Sequence, residues 1–203
     1  MNINWIWYIA LGYVLGSIPF ALVIGKLFYK TDVRSFGSGN LGGTNAGRVL
    51  GKKAGISVIL CDVLKVVVAV GIVAQFDIKA SIWAGFAAAF GHCYPVFAKF
   101  HGGKAVATMF GFLLSTSIFT FQNGWYVIIP LIFFLVMLYV SKMVSLSSMI
   151  AALASSIYIT IMQYNISIEI VIASWLLTLL VLYRHRSNMI KIMNKTESKI
   201  SWL

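Results

Sequence analysis

Acidic side chains are almost missing from this chain. Asp32, Asp62, Asp77, Glu169 and Glu197 are the five among 203 residues, and all charged types together reach only 10%. A soluble domain carries roughly 25% charged residues, because a surface facing water needs them. That deficit excludes a soluble globule. Cysteine is scarce too: Cys61 and Cys93 both sit in apolar stretches, without metal-type spacing. This excludes a disulfide framework and reads as two buried, small apolar side chains. No cluster of His, Asp and Glu has metal-ligand spacing, so neither a metal nor a cofactor is expected. No basic residue precedes the first apolar run, which is long, so that run is expected to stay in the mature chain rather than be cleaved.

Apolar residues, by contrast, make up 60% of the chain. A bilayer-spanning helix needs about 20 of them in a row. Only helices or closed barrels satisfy the backbone in lipid, and long runs without strict alternation argue against a barrel. The expected fold is all-α: one integral membrane domain over residues 1–203, a polytopic bundle of about seven transmembrane helices. The apolar runs go from Ile3 to Phe28, then over 54–74, 81–98, 105–121, 125–139, 146–164 and 166–183. Gly16, Ser17 and Pro19 predict a kink in the first.

Positive charge is distributed unevenly between the connections. Lys30, Arg34, Arg48, Lys52, Lys53, Lys99, Lys104, Lys142, Arg184, Arg186, Lys191, Lys195 and Lys199 fall on one side, thirteen against Lys79 alone on the other. The positive-inside rule puts the rich side in the cytoplasm. The N-terminus is then outside and the C-terminus cytoplasmic, which an odd number of spans satisfies. The net charge of +11 thus follows from topology and anionic lipid head groups. No nucleic-acid partner is expected, while an anionic substrate remains compatible. The two halves of the chain do not resemble each other, which disfavours a transporter built from repeats.

Three connections on the rich side carry chemistry. The first reads Gly37-Ser38-Gly39-Asn40-Leu41-Gly42-Gly43-Thr44-Asn45-Ala46-Gly47-Arg48. Its five glycines remove Cβ atoms, so backbone N–H groups can approach an anion. Ser38, Thr44, Asn40 and Asn45 add neutral donors, and Arg48 adds a forked cation. A flexible glycine-rich linker is the plainer alternative. The second reads His101-Gly102-Gly103-Lys104-Ala105-Val106-Ala107-Thr108 and leads into a helix. A lysine and two glycines at a helix N-terminus suit a phosphate, although the lysine can also mark the membrane boundary; the spacing is not that of a Walker A loop. The third, Arg184-His185-Arg186-Ser187-Asn188, puts His185 and Asn188 on one helical face. A stop-transfer cluster explains Arg184 and Arg186 but neither His185 nor Asn188. Glu197, alone among bases, reads as a structural partner for a loop cation. Asp62 and Lys65, three apart within an apolar run, are expected to pair with each other or to orient Arg48 or another loop base. His92 reads as a hydrogen-bonded helix-end residue. A Gly-x-Ser-x-Gly elbow and a His-x-x-x-x-Asp pair are both absent, so a covalent acyl-enzyme has no evident nucleophile.

In these three stretches the chain resembles the bacterial acyl-phosphate:glycerol-3-phosphate acyltransferases. The first family motif is similar to Gly37 through Arg48. The second is similar to Gly91-His92, Pro95-Val96-Phe97, Gly102-Gly103-Lys104 and Val106-Ala107-Thr108. The third is similar to Tyr183-Arg184-His185-Arg186 with Asn188 and Glu197. Gly16-Ser17-Ile18-Pro19-Phe20 and Asp62 with Lys65 also match, in order and at the right intervals over nearly the whole chain. Three positions depart from the family pattern: Ala105 and Val66 stand where the family usually has Gly, and Gly43 where it usually has Ala. Ala105 places a methyl group next to the expected phosphate cradle.

The resemblance implies a multi-pass enzyme of the bacterial cell membrane, with seven spans and a site facing the cytoplasm. It implies transfer of a fatty acyl group from acyl phosphate to the 1-hydroxyl of glycerol 3-phosphate, an opening step of phospholipid synthesis. The products are lysophosphatidic acid and phosphate. Ser38, Arg48, Lys104, His185 and Asn188 are the expected catalytic group. Gly37, Gly39, Asn40, Thr44, Asn45, Gly102, Gly103, Thr108 and Ser145 are the expected substrate-binding group, and Asp62, Lys65 and Glu197 the structural one. Membrane lipid is the other expected partner. The oligomeric state is left open, and a monomer satisfies the sequence. The competing readings are an inactive paralogue and a membrane protein that binds or moves an organic phosphate.

Overall fold

A computed structural model describes residues 4–200, and all of its regular structure is helical. Each of the seven apolar runs is helical over most of its length. The first is broken into α1 (Asn4–Gly16) and α2 (Phe20–Tyr29). The break falls where expected, because Pro19 brings no N–H to the ladder. The others are α4 (Lys52–Ala74), α5 (Ile78–Cys93), α6 (Val106–Ser115) continued by a π turn over Thr116–Thr120, α7 (Trp125–Ser141), α8 (Val144–Gln163) and α9 (Ile168–Arg184). By length and composition, residues 4–29, α4 and α8 can each cross a membrane; α9 qualifies together with the next helix, bent from it by 56°.

The structure corrects several boundaries. The connection 30–53 is not loop throughout: Gly43–Leu50 form α3, which buries Ala46 against a cluster containing Ala21, Leu22 and Val58. The third run stops at Cys93 rather than Ala98, since Pro95 disfavours a helical Tyr94, and a short 3₁₀ turn, Val96–Ala98, follows. The tail is not irregular at its start, because Arg186–Met193 form α10. Cys93 is buried but Cys61 is only half-buried, and both are free thiols. Ile3, where the first run begins in sequence, and residues 201–203 of the tail lie outside the described residues.

Packing follows the rules of helices in lipid, where small residues allow close approach. Gly12 and Gly16 of α1 lie directly on Ala84 and Ala88 of α5, so that any Cβ there would collide with α5 backbone. Helices α8 and α9 are tied by hydroxyls: Ser156 Oγ lies 2.7 Å from Thr178 Oγ1, which donates to the Ala152 carbonyl at 2.8 Å. The buried core joins Val66, Met109, Phe112, Ile159, Ile170 and Leu177 from α4, α6, α8 and α9. Outward-facing side chains stay apolar: Leu60, Leu64 and Val68 on α4 and Ile132, Leu135 and Val136 on α7 are all exposed. Such a belt is tolerable only against lipid.

The break at Pro19 and the four polar connections place the site. Residues 30–51, 94–105, 141–143 and 184–200 converge at one end of the bundle, where they bond to one another. Asn40 reaches the Gly102 carbonyl, Arg184 reaches Gly102 and Gly103, and the Ile200 N–H donates to Lys142.

Candidate active site

A cavity of about 480 Å³ opens at this end. One part is polar, lined by Ser38, Asn40, Thr44, Arg48, Lys104, Ser145, His185 and Glu197. The other is apolar, a furrow between α4, α6 and α7 walled by Ile59, Val63, Phe110, Leu114, Val127, Leu131 and Phe134.

The first wall depends on Asn45. Its Oδ1 accepts from the Ser38 N–H at 2.8 Å, while its Nδ2 donates to the Val33 carbonyl at 3.0 Å and the Phe36 carbonyl at 3.3 Å. This amide therefore folds the loop that carries Ser38, and Asn45 also lines the cavity, where the sequence expects a substrate contact. Gly37 has φ +62, and a Cβ there would strike Asn45 Oδ1, so glycine is needed for both reasons. Asp32 anchors the loop's start by capping Arg34 N–H at 3.0 Å and pairing with its guanidinium at 2.6 Å. The hydrogen bonds from Arg34 hold the Asp32 carboxyl down at about 2. Gly42, Gly43 and Thr44 bring the N-terminus of α3 to the cavity. Arg48, on the last turn of α3, is exposed and has no hydrogen bond or ion pair among the described residues. It is a cation available to an anion.

The second wall differs from the expected cradle. Gly102 and Gly103 are buried and sit behind the cavity. The Gly103 N–H donates to the His92 carbonyl at 3.0 Å. Arg184 grips both carbonyls from the other side, Nε to Gly103 at 3.0 Å and Nη2 to Gly102 at 3.1 Å, with its guanidinium over the Tyr94 ring. The two glycines thus permit close packing, and Arg184 is more than a stop-transfer charge. The clamp presents Lys104, whose Nζ donates to Asn188 Oδ1. Burial lowers the Lys104 pKa below the usual lysine range, and the Glu197 carboxylate partly opposes that. Thr108 is fully buried one turn further on, with its hydroxyl unpartnered, and does not line the cavity. Ala105 has φ +61 and is fully buried in the core. Its methyl group packs away from the cavity, contrary to the crowding that the sequence suggested. Val66, the other departure, packs on Gly111 of α6.

The third wall is a network. Asn188 Nδ2 and Ser145 Oγ each donate to Glu197 Oε1 at 2.7 Å. Glu197 was expected to pair with a base. Among the described residues it forms no ion pair within 4 Å; it takes these two neutral donors instead. His185 is buried, and its Nδ1 lies 2.8 Å from the Val181 carbonyl. That carbonyl can only accept, so Nδ1 carries the proton and Nε2 is bare. Burial pushes the His185 pKa down to about 4, so its ring is neutral at ordinary pH. At the floor of the cavity, which Asp62 and His92 line, Asp62 and Lys65 pair with each other at 2.7 Å, and His92 joins them. Gly39, with φ +68, shapes the first loop without lining the cavity.

Sequence reasoning names Arg184 and His92 but not the roles they have here, because their partners lie far off in the chain, and it does not name the furrow residues. No signal marks the furrow residues, which read as ordinary span.

A cation-lined chamber opening into an apolar furrow, within a bundle whose outer surface is apolar, defines an integral membrane protein that handles molecules with an anionic head and an aliphatic tail. The comparisons make the class specific. The family model for glycerol-3-phosphate acyltransferase matches residues 6–195, and the chain belongs to that family. It is 47% identical to the glycerol-3-phosphate acyltransferase of Geobacillus kaustophilus over 95% of this chain and 94% of the relative. The Listeria welshimeri enzyme of the same name is 47% identical over 100% of both chains. A crystal structure of PlsY (YgiH), an integral membrane glycerol 3-phosphate acyltransferase in its glycerol 3-phosphate form, superposes with a TM-score of 0.88. It is 30% identical and covers 98% of this chain and 96% of its own. The lysophosphatidic acid form of that protein gives 0.86 at 29% identity, with the same coverage.

Proposed function

We propose that this chain transfers a fatty acyl group from acyl phosphate to the 1-hydroxyl of glycerol 3-phosphate, releasing lysophosphatidic acid and phosphate. The observation that carries the reading is the junction of the cationic chamber with the apolar furrow, because both products and both substrates carry phosphate and one of each carries a long chain. The chain acts as one domain over residues 1–203, crosses the bacterial cell membrane seven times with its N-terminus outside, and opens the site to the cytoplasm. A monomer suffices, since all the walls come from one chain.

Arg48 and Lys104 hold the two phosphates, with Ser38, Asn40, Thr44 and the N–H groups at the start of α3 as further donors. The acyl chain lies along Phe110, Phe134 and Leu131. The glycerol hydroxyl attacks the acyl carbonyl, the carbonyl-to-phosphate oxygen bond breaks, and phosphate leaves. Acyl phosphate is already activated, so positioning and charge stabilisation suffice and no protein nucleophile intervenes. A substrate phosphate oxygen takes the proton of the attacking hydroxyl, while bare His185 Nε2 accepts a hydrogen bond from the neighbouring 2-hydroxyl and so orients the glycerol. A His185→Ala protein that binds both substrates normally yet forms no product would overturn that assignment.

Purified protein in lipid, given palmitoyl phosphate and glycerol 3-phosphate, is expected to form lysophosphatidic acid, and palmitoyl-CoA in its place is expected to give none. Product from the CoA ester alone would refute the donor. No product from either, in folded protein, would favour the inactive paralogue.

A further inference from the structure

One polar cluster beside the cavity has no part in the scheme above. Asp62 and Lys65 on α4 and His92 on α5 are all at most 5% exposed. Lys65 Nζ lies 2.7 Å from Asp62 Oδ1, 2.9 Å from the Ile18 carbonyl and 3.1 Å from His92 Nδ1. The Ile18 carbonyl is available because the helix breaks at Pro19. An ammonium has three protons and no lone pair; here it forms an ion pair with Asp62 and meets two hydrogen-bond partners, the Ile18 carbonyl and His92 Nδ1. Since Nζ can only donate, the 3.1 Å contact makes His92 Nδ1 the acceptor. A proton on Nδ1 would face the ammonium, donor against donor, and the alternative partner, Asp62 Oδ1, is more distant at 3.4 Å. The remaining ring proton sits on Nε2.

That nitrogen has no hydrogen-bond partner among the described residues and is not fully sealed from solvent. His92 lines the cavity. Nε2 lies against Gly103, where any Cβ would collide with it. The absence of a side chain on Gly103 thus makes room for the nitrogen one residue from Lys104. His185, across the same cavity, has the opposite tautomer, with Nδ1–H bound to Val181 and Nε2 bare.

We infer that His92 is a substrate-contacting residue. Its Nε2–H donates to a substrate phosphate oxygen beside Lys104, and Lys65, held by Asp62, is the positioning residue that sets this tautomer. The cavity then offers one imidazole donor and one imidazole acceptor. The inference rests on the phosphate-handling reading of the site but not on turnover.

With only three histidines in the chain, ¹⁵N NMR of histidine-labelled full-length protein in detergent resolves each ring. The expected spectrum has His92 protonated on Nε2 and bare on Nδ1, and His185 the reverse. Glycerol 3-phosphate alone and palmitoyl phosphate alone are titrated separately, and the one whose phosphate lies beside Lys104 should shift the His92 Nε2–H signal saturably. In Lys65→Met protein the fixed tautomer should give way to a mixture. His92→Phe keeps the ring's bulk, and should raise KM for that same substrate roughly 10- to 100-fold, the loss of one hydrogen bond to a charged group, with kcat changing less. An Nδ1–H tautomer or an imidazolium at His92 in the wild-type protein overturns the inference, as does a His92 signal that neither substrate moves while the His185 signals respond. If the tautomer and the phosphate response hold but no acyl transfer occurs, the proposed reaction fails and this inference stands.

Discussion

The two ends of the bundle treat charge in opposite ways. At the end away from the cavity, each charged side chain among the described residues has a protein partner. Asp77 caps α5 through the Ala80 N–H at 2.9 Å and accepts from the Trp5 indole at 2.7 Å, and Lys79 meets Glu169 at 2.7 Å. Gln163 and Tyr126 bond to each other below them. At the cavity end, Arg48 has no partner among the described residues, Lys104 has only a neutral amide, and His92 Nε2 and His185 Nε2 point to no protein group. One end pairs its charges within its own fold. The other is organised by the fold but completed only by an anion, and polar groups held ready in this way characterise sites rather than supports.

The predictions test that contrast, beginning with the largest effect. Arg48→Ala removes a cation with no structural partner, so kcat/KM should fall by roughly 100- to 1,000-fold while the thermal midpoint stays close to wild type. A large drop in the midpoint instead would make Arg48 a support. Gly103→Ala pushes a methyl group into His92 Nε2, and kcat/KM should fall by about 10-fold or more; an unaffected enzyme would show that the two walls can separate freely.

A third test concerns acid. His185 is held near 4 in the folded chain against 6.5 in the unfolded one, so the unfolded chain takes up the proton first as pH falls. The stabilisation is complete above pH 6.5 and is lost between 6.5 and 4, by up to about 3 kcal/mol. Denaturation followed across that window should show the slope, and His185→Phe should flatten it. Ala105→Gly should change least. Relief of a left-handed alanine, about 1 kcal/mol, is offset by the lost methyl burial and by the freer unfolded chain. Stability should remain within about 1 kcal/mol and activity should be unchanged. Activity appearing only in the glycine variant would mean that the parent is an inactive paralogue.

Much of this arrangement is legible in the chain. Apolar runs mark the helices, because lipid leaves the backbone no alternative, and Pro19 marks the first break. Most polar residues singled out by sequence line the cavity, because a glycine-rich connection with Ser38 and Arg48 has few other uses. Helix α3 is hidden by Gly43 and Gly47, whose poor propensity is overridden by burial of Ala46 and by close approach to Gly55. The duties of Asn45, Gly102 and Gly103 are also hidden, since the same composition serves to bind an anion or to fold the loop that does. Arg184 and His92 act on groups 81 and 27 residues away, a spacing that no local pattern encodes.

The most direct test sets the two ends side by side. Acyl transfer from palmitoyl phosphate to glycerol 3-phosphate is measured for the wild-type chain, for Lys104→Ala at the cavity end and for Lys79→Ala at the other. Equal rates for wild type and Lys79→Ala, with Lys104→Ala lower by about 100-fold or more, are predicted. Lys104→Ala protein working at the wild-type rate, or Lys79→Ala failing as badly, would contradict the division of the bundle into a support and a site.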